Sequence, residues 1–285
     1  MNLPDCTLTT RWTPRTDPVP VAPTAGRTLR TYTDVDPADP VIVWFPYAGG
    51  AASHVAAWRD RLPARVGLAA VQYPGRADRL HDPRPALADL AGEVADAIEA
   101  AGLVERAVLW GHSLGALVAV ETVRELERRG TPPRALVVTG RRAPGRRAAF
   151  DDLADLDDDA LVAALVAMDP DSGAPDLRGE ARDYWLALVR ADARLAAQVL
   201  DRPGTARPEP VTVPIVAASG AHDPAASVAD LHEWVALSSG TVTVASLDGG
   251  HLSAVAKPDA VVALLTDAAL LPAPAGDLRR DGDHL

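Results

Sequence analysis

The segment AVLWGHSLGALVAVETVREL places Ser113 between an apolar run and a stretch whose apolar residues recur at helical spacing. A serine hydroxyl is a weak nucleophile at neutral pH unless a base takes its proton and a third group orients that base. Gly111 and Gly115 flank Ser113 in a Gly-x-Ser-x-Gly string. Entered from a strand and left through a helix, such a string makes a sharp turn that lifts the hydroxyl clear of the sheet. A side chain at either glycine would crowd that turn. The chemistry this arrangement serves is acyl transfer through a covalent acyl-serine.

The remaining parts are sought downstream, in the chain order serine, acid, histidine. Of the seven histidines, His251 is the best-placed base: it follows the last strand-like run and the Asp248-Gly249-Gly250 turn, from which a loop can return over the serine. His112 adjoins Ser113, but alternation at the turn points it elsewhere. His54, His81, His222, His232 and His284 stand in contexts that suit structural or exposed positions. The acid can follow either of two strands. The first reads Val137-Val138-Thr139-Gly140-Arg141-Arg142 and offers no carboxylate; the second reads Ala218-Ser219-Gly220-Ala221-His222-Asp223-Pro224, which makes Asp223 the candidate. Asp248 competes, although three residues from His251 it is better suited to shaping the turn. An oxyanion needs backbone donors, here the N–H of Leu114 and a second from Tyr47 or Ala48 in the loop Pro46-Tyr47-Ala48-Gly49-Gly50. That loop lacks the Lys-Ser/Thr pair of a phosphate loop.

These residues require a scaffold of buried strands and helices. Val41–Phe45, Leu68–Tyr73, Ala107–Trp110, Ala135–Thr139, Val213–Ser219 and Val242–Leu247 are strand-length apolar runs, as expected of a parallel sheet buried on both faces. Helical spacing marks Pro85–Ala101 and Leu114–Arg129, with Gly102 and Gly130 where C-terminal caps belong. The alternation predicts an α/β fold with a mostly parallel sheet and helices on both faces. The core is expected at 28–143 and 211–272, after an N-terminal arm at 1–27 and before a charged tail at 273–285. Between them, 144–210 breaks the alternation. Asp157–Met168 and Glu180–Leu200 predict two helices there, an inserted helical lid. Its Leu161, Leu165, Met168, Trp185, Leu186 and Leu195 can serve as ordinary core or line an apolar channel.

Composition excludes other classes. With 285 residues and 48% hydrophobic content the chain can bury a sizeable core without disulfides or metals, and Cys6, its one cysteine, permits no intrachain disulfide or Cys-based zinc cluster. A net charge of −11 gives no electrostatic reason to bind nucleic acid or an anionic membrane. The first residues lack the basic and apolar regions of an export signal, and no run suffices for a membrane span, so a cytoplasmic location is expected.

The motifs in their joint order resemble the type II thioesterases that accompany modular polyketide and nonribosomal peptide synthases, serine hydrolases of the α/β-hydrolase fold. The resemblance rests on Phe45-Pro46-Tyr47-Ala48-Gly49-Gly50, Gln72-Tyr73-Pro74-Gly75-Arg76 with Asp78-Arg79, Gly111-His112-Ser113-Leu114-Gly115-Ala116, Thr139-Gly140-Arg141-Arg142-Ala143-Pro144, Arg190-Ala191-Asp192 and Gly249-Gly250-His251. It implies hydrolysis of acyl thioesters on the phosphopantetheine arm of an acyl or peptidyl carrier protein, clearing misprimed or stalled chains. The serine chemistry requires no metal or redox cofactor, and a monomer is expected. Integrated, chain-terminating relatives generally take their acid after the earlier strand, so Asp223 points to a free-standing enzyme. The chain departs from the family where an aromatic often follows the histidine, since Leu252 and Ser253 stand there. Carrier proteins of such systems are typically acidic, and Arg141, Arg142, Arg146 and Arg147 are a candidate docking patch.

Overall fold

The computed structural model describes residues 26–33, 35–146, 149–170, 177–199 and 209–273. Most of the expected N-terminal arm and charged tail lie outside the described residues. One sheet organises the rest. Its strands are β1 (Leu29–Thr31), β2 (Val41–Phe45), β3 (Gly67–Val71), β4 (Ala107–His112), β5 (Ala135–Thr139), β6 (Ile215–Gly220) and β7 (Val242–Leu247). They lie in the order β1-β3-β2-β4-β5-β6-β7. Only β1 runs antiparallel to its neighbour.

Strand alternation divides the core into two layers, because successive side chains leave opposite faces of a pleated sheet. Val41, Val43, Phe45 and Leu109 pack toward α1 (Leu87–Ala100) and α2 (Leu114–Arg128). Ile42, Trp44, Val108 and Trp110 pack on the other face, toward a 3₁₀ segment at Ala52–Arg61 and a C-terminal helix at Pro258–Asp267. There Trp110 lies between Trp44 and Trp58, with ring centroids 4.3 Å apart in each pair. The parallel sheet with helices on both faces is therefore as the alternation of elements indicates.

One expectation needs correction. Val242–Leu247 is not buried on both faces: as the edge strand β7 it is largely half-buried or exposed. β1 was not anticipated, since three residues carry no readable periodicity. The segment between β5 and β6 contains α3 (Asp158–Met168) and α4 (Glu180–Ala197). Asp157 caps α3 by accepting a 2.8 Å hydrogen bond from the Ala160 amide, a typical N-terminal satisfaction of an otherwise unpaired donor. Leu161, Met168 and Leu186 are buried, while Leu165, Trp185 and Leu195 are half-buried against the same layer as α1 and α2. Two short helices follow β7, α5 (Ser253–Ala256) and α6 (Pro258–Asp267). Among the described residues no helix is long and apolar enough to cross a membrane.

Candidate active site

Ser113 sits where β4 turns into α2, with φ 54° and ψ −117°. A non-glycine residue is rarely held at positive φ, and such strain persists only where its surroundings dictate it. Those surroundings are backbone. A Cβ on Gly111 would lie 2.2 Å from the Gly115 carbonyl oxygen, and one on Gly115 would lie 2.0 Å from the Phe45 carbonyl oxygen. The glycines thus let β4, α2 and the end of β2 meet at distances no side chain permits. The Ser113 amide donates to the Thr139 carbonyl at 2.8 Å, fixing the turn to β5.

The structure brings His251 and Asp223 together in a buried pair. His251 Nδ1 lies 2.9 Å from Asp223 Oδ2. That oxygen also accepts from Ser219 Oγ at 2.8 Å, and Oδ1 accepts from the Ala225 amide at 2.8 Å. Burial of Asp223 disfavours its charge, but the bonds from His251, Ser219 and Ala225 outweigh it and hold the carboxyl below the usual range. Asp248, the competing acid, is exposed and pairs with Lys257, so it holds the turn instead.

His251 reaches the elbow through His112 and Gly140. The two imidazoles lie with ring centroids 4.9 Å apart, and a Cβ on Gly140 would stand 3.2 Å from His251 Cε1. His112 is fully buried, its Nδ1 2.9 Å from Thr139 Oγ1. Burial first, then the neighbouring His251, pushes its pKa well below the ordinary histidine value, so it stays neutral. Its packing against His251 depends on β5 and the His251 loop, which no local pattern reveals.

Tyr47 and Ala48 occupy the loop after β2, beside the elbow. Tyr47 contacts the His112 ring edge-on at 6.0 Å, and burial raises its phenol pKa to about 12. Helix α4 covers the next residue: the indole nitrogen of Trp185 would be 3.0 Å from a Cβ on Gly49. Two carboxylates of the inserted segment also grip these loops. Asp192 Oδ2 accepts from the Gly49 amide at 2.8 Å, and Asp169 Oδ2 accepts from the Leu252 amide at 2.6 Å. The motifs containing Asp192 and Arg76 are visible in the sequence, but their contacts are not, because they join positions more than a hundred residues apart.

Of the expected docking residues, Arg141 is corrected by the structure. Arg141 is 2% exposed and lies inside the protein, with its carbonyl accepting from Trp234 Nε1 at 2.9 Å. Arg142 is matched to Glu233 at 2.8 Å and Asp230 at 3.3 Å, and Arg146 lies 3.6 Å from Glu233. Carboxylates on the 3₁₀ segment Asp230–Leu237 thus partly offset the charge of Arg142 and Arg146. Arg147 lies outside the described residues.

A family model described as the thioesterase domain matches residues 40–268. Thioesterase PikA5 of Streptomyces venezuelae is 38% identical over 217 residues, covering 74% of each chain. Among solved structures, the type II thioesterase BorB from the borrelidin biosynthetic cluster superimposes with a TM-score of 0.73 at 30% identity, covering 86% of this chain and 98% of BorB. RedJ, a thioesterase from the prodiginine biosynthetic pathway in Streptomyces coelicolor, gives a TM-score of 0.71 at 35% identity, covering 89% of this chain and 97% of RedJ.

Proposed function

The chain belongs to the thioesterase domain family and has the α/β-hydrolase fold, and we propose that it hydrolyses acyl groups held as thioesters on the phosphopantetheine arm of acyl or peptidyl carrier proteins, with Ser113 as nucleophile. The observation that carries this reading is the buried His251–Asp223 pair set against a strained serine turn. The BorB and RedJ names support the biosynthetic setting, and the role is the removal of aberrant or stalled chains.

In the proposed cycle, Asp223 holds His251 with its Nδ1 proton directed at the carboxylate, leaving Nε2 as the base. Nε2 takes the proton from Ser113 Oγ as the oxygen adds to the thioester carbonyl. The resulting oxyanion is held by the Leu114 amide and by that of Tyr47 or Ala48. Collapse breaks the carbon–sulfur bond, and His251 returns its proton to the departing pantetheine sulfur. Water then adds to the acyl-serine as His251 takes its proton; the free acid leaves and Ser113 recovers its hydrogen. No cofactor enters this sequence. The segment 144–210 acts as the lid over the acyl chain, with α3 and α4 as its walls.

The test uses purified protein, a panel of carrier proteins bearing short acyl groups, and Ser113→Ala as control. Intact-protein mass spectrometry is expected to show loss of the acyl mass with stoichiometric free acid and free pantetheine thiol, abolished in the variant. Acyl carriers that stay intact with active wild-type protein contradict the proposal.

A further inference from the structure

A loop that donates amides to an oxyanion must be held to within a few tenths of an ångström, and Pro46–Gly50 has little of its own to hold it. Within the loop the Gly50 amide donates to the Tyr47 carbonyl at 2.8 Å. Its other anchors come from outside. Tyr73 Oη donates to the Pro46 carbonyl at 3.2 Å, and Arg76 Nη1 donates to the Gly50 carbonyl at 2.8 Å. Asp192 Oδ2 accepts from the Gly49 amide at 2.8 Å. Arg76 and Asp192 then bind each other through two parallel bonds, Nη1 to Oδ2 at 2.9 Å and Nη2 to Oδ1 at 2.6 Å. The four groups close a ring in which one side chain grips a loop carbonyl, the other grips the adjacent loop amide, and each fixes its partner.

The side chains of Arg76 and Asp192 are only 4% and 3% exposed. A buried ion pair is weak evidence for stability, because removing two charges from water offsets most of their attraction. What it supplies in this place is direction. Charge-assisted bidentate bonds are short and angularly restrictive, and here the two side chains they lock together also hold the Gly49 amide and the Gly50 carbonyl of a glycine-containing loop. The Tyr73 ring lies against the guanidinium, 5.1 Å from centroid to carbon, and limits its movement. Asp192 belongs to α4, whereas Arg76 follows β3.

We infer that Arg76 and Asp192 are positioning residues that fix the Tyr47 and Ala48 amides for the oxyanion, so that the inserted helix α4 forms part of the catalytic apparatus as well as its cover. This rests on the proposed use of that loop as an oxyanion hole. Displacing α4 would draw Asp192 from Gly49 and free the loop.

The test compares wild type with Arg76→Lys and with the double variant Arg76→Met/Asp192→Leu, which leaves neither charge unpaired. Two rates are measured: acyl release from a carrier protein, and phosphonylation of Ser113 by a fluorophosphonate, whose phosphoryl oxygen takes the oxyanion's place. Folding is followed by circular dichroism. The double variant is expected to fold, to lose about 10- to 100-fold in kcat with KM within about threefold, and to lose phosphonylation rate by a similar factor. Arg76→Lys, which keeps the charge but not the paired bonds, is expected to fall between. Wild-type kcat and labelling in the double variant would overturn the inference; so would failure of that variant to fold, which would make the pair a structural requirement. Wild-type protein that is labelled at Ser113 yet releases no acyl group defeats the substrate reading alone, and the labelling rates still decide the role of the pair.

Discussion

Asp223 accepts hydrogen bonds from His251, Ser219 and the Ala225 amide, and each depends on its being ionised or on its acceptor geometry. In Asp223→Asn the amide group can present a donor to Nδ1, favouring the wrong imidazole tautomer. The kcat for thioester hydrolysis is expected to fall by about 10⁴-fold, with KM little changed. The same carboxylate gives a signed pH effect. Its folded-state pKa is depressed, so its contribution to stability is complete above the ordinary value of about 3.9 and is lost as pH falls through the lower folded value. Urea unfolding should therefore show the stability gap between wild type and Asp223→Asn narrowing from pH 6 to pH 3; a gap that widens contradicts this. The candidate residues were legible because Ser113, Asp223 and His251 each follow a strand, where loops gather on one edge of a parallel sheet. Ser219 was not: a serine at the end of a strand gives no sign that the next turn folds a carboxylate back onto it. Nor was the burial of Arg141, since a guanidinium reads as a surface group until Trp234 is packed over its backbone.

At the scale of elements, the sharp meeting of β2, β4 and α2 carries the site. A Cβ on Gly115 would meet the Phe45 carbonyl carbon at 2.7 Å as well as its oxygen at 2.0 Å. Neither atom can move without shifting β2, which is paired on both sides. Gly115→Ala is thus expected to yield little soluble protein, or protein with more than 10²-fold lower kcat; wild-type melting and activity together would show that the elbow is not fixed as described. The long helices and interior strands were readable because a buried face imposes a period on the sequence. The 3₁₀ segments Ala52–Arg61 and Asp230–Leu237 were not, as their positions are set by packing of Trp58 and Trp234 rather than by an amphipathic stripe. Asp230–Leu237 also supplies the carboxylates beside Arg142 and Arg146.

For the whole molecule, the net charge of −11 bears on partner choice. With Arg141 buried and Arg142 matched to Glu233 and Asp230, little long-range attraction of an acidic carrier protein is expected from these two residues. The KM for a carrier-bound substrate is expected to stay level or fall as salt rises from about 0.01 to 1 M, over which the screening length shrinks from about 30 to about 3 Å. A KM that climbs steeply with salt would place a cationic docking face elsewhere on the surface. Family membership was legible from the joint order of the motifs, and the architecture from the alternation of strand-length runs and helical patterns. The hydrogen bond from α4 to the Pro46–Gly50 loop was not, since it exists only after β3, α4 and the loop have come together. The central claim is that Ser113 carries the acyl group between carrier protein and water. The direct measurement is acid quenching during turnover of an acylated carrier protein, followed by peptic digestion and mass spectrometry of the enzyme. The acyl mass is expected on the peptide containing Ser113 and absent in Ser113→Ala; an acyl group on another residue, or undiminished turnover by the variant, would contradict the account.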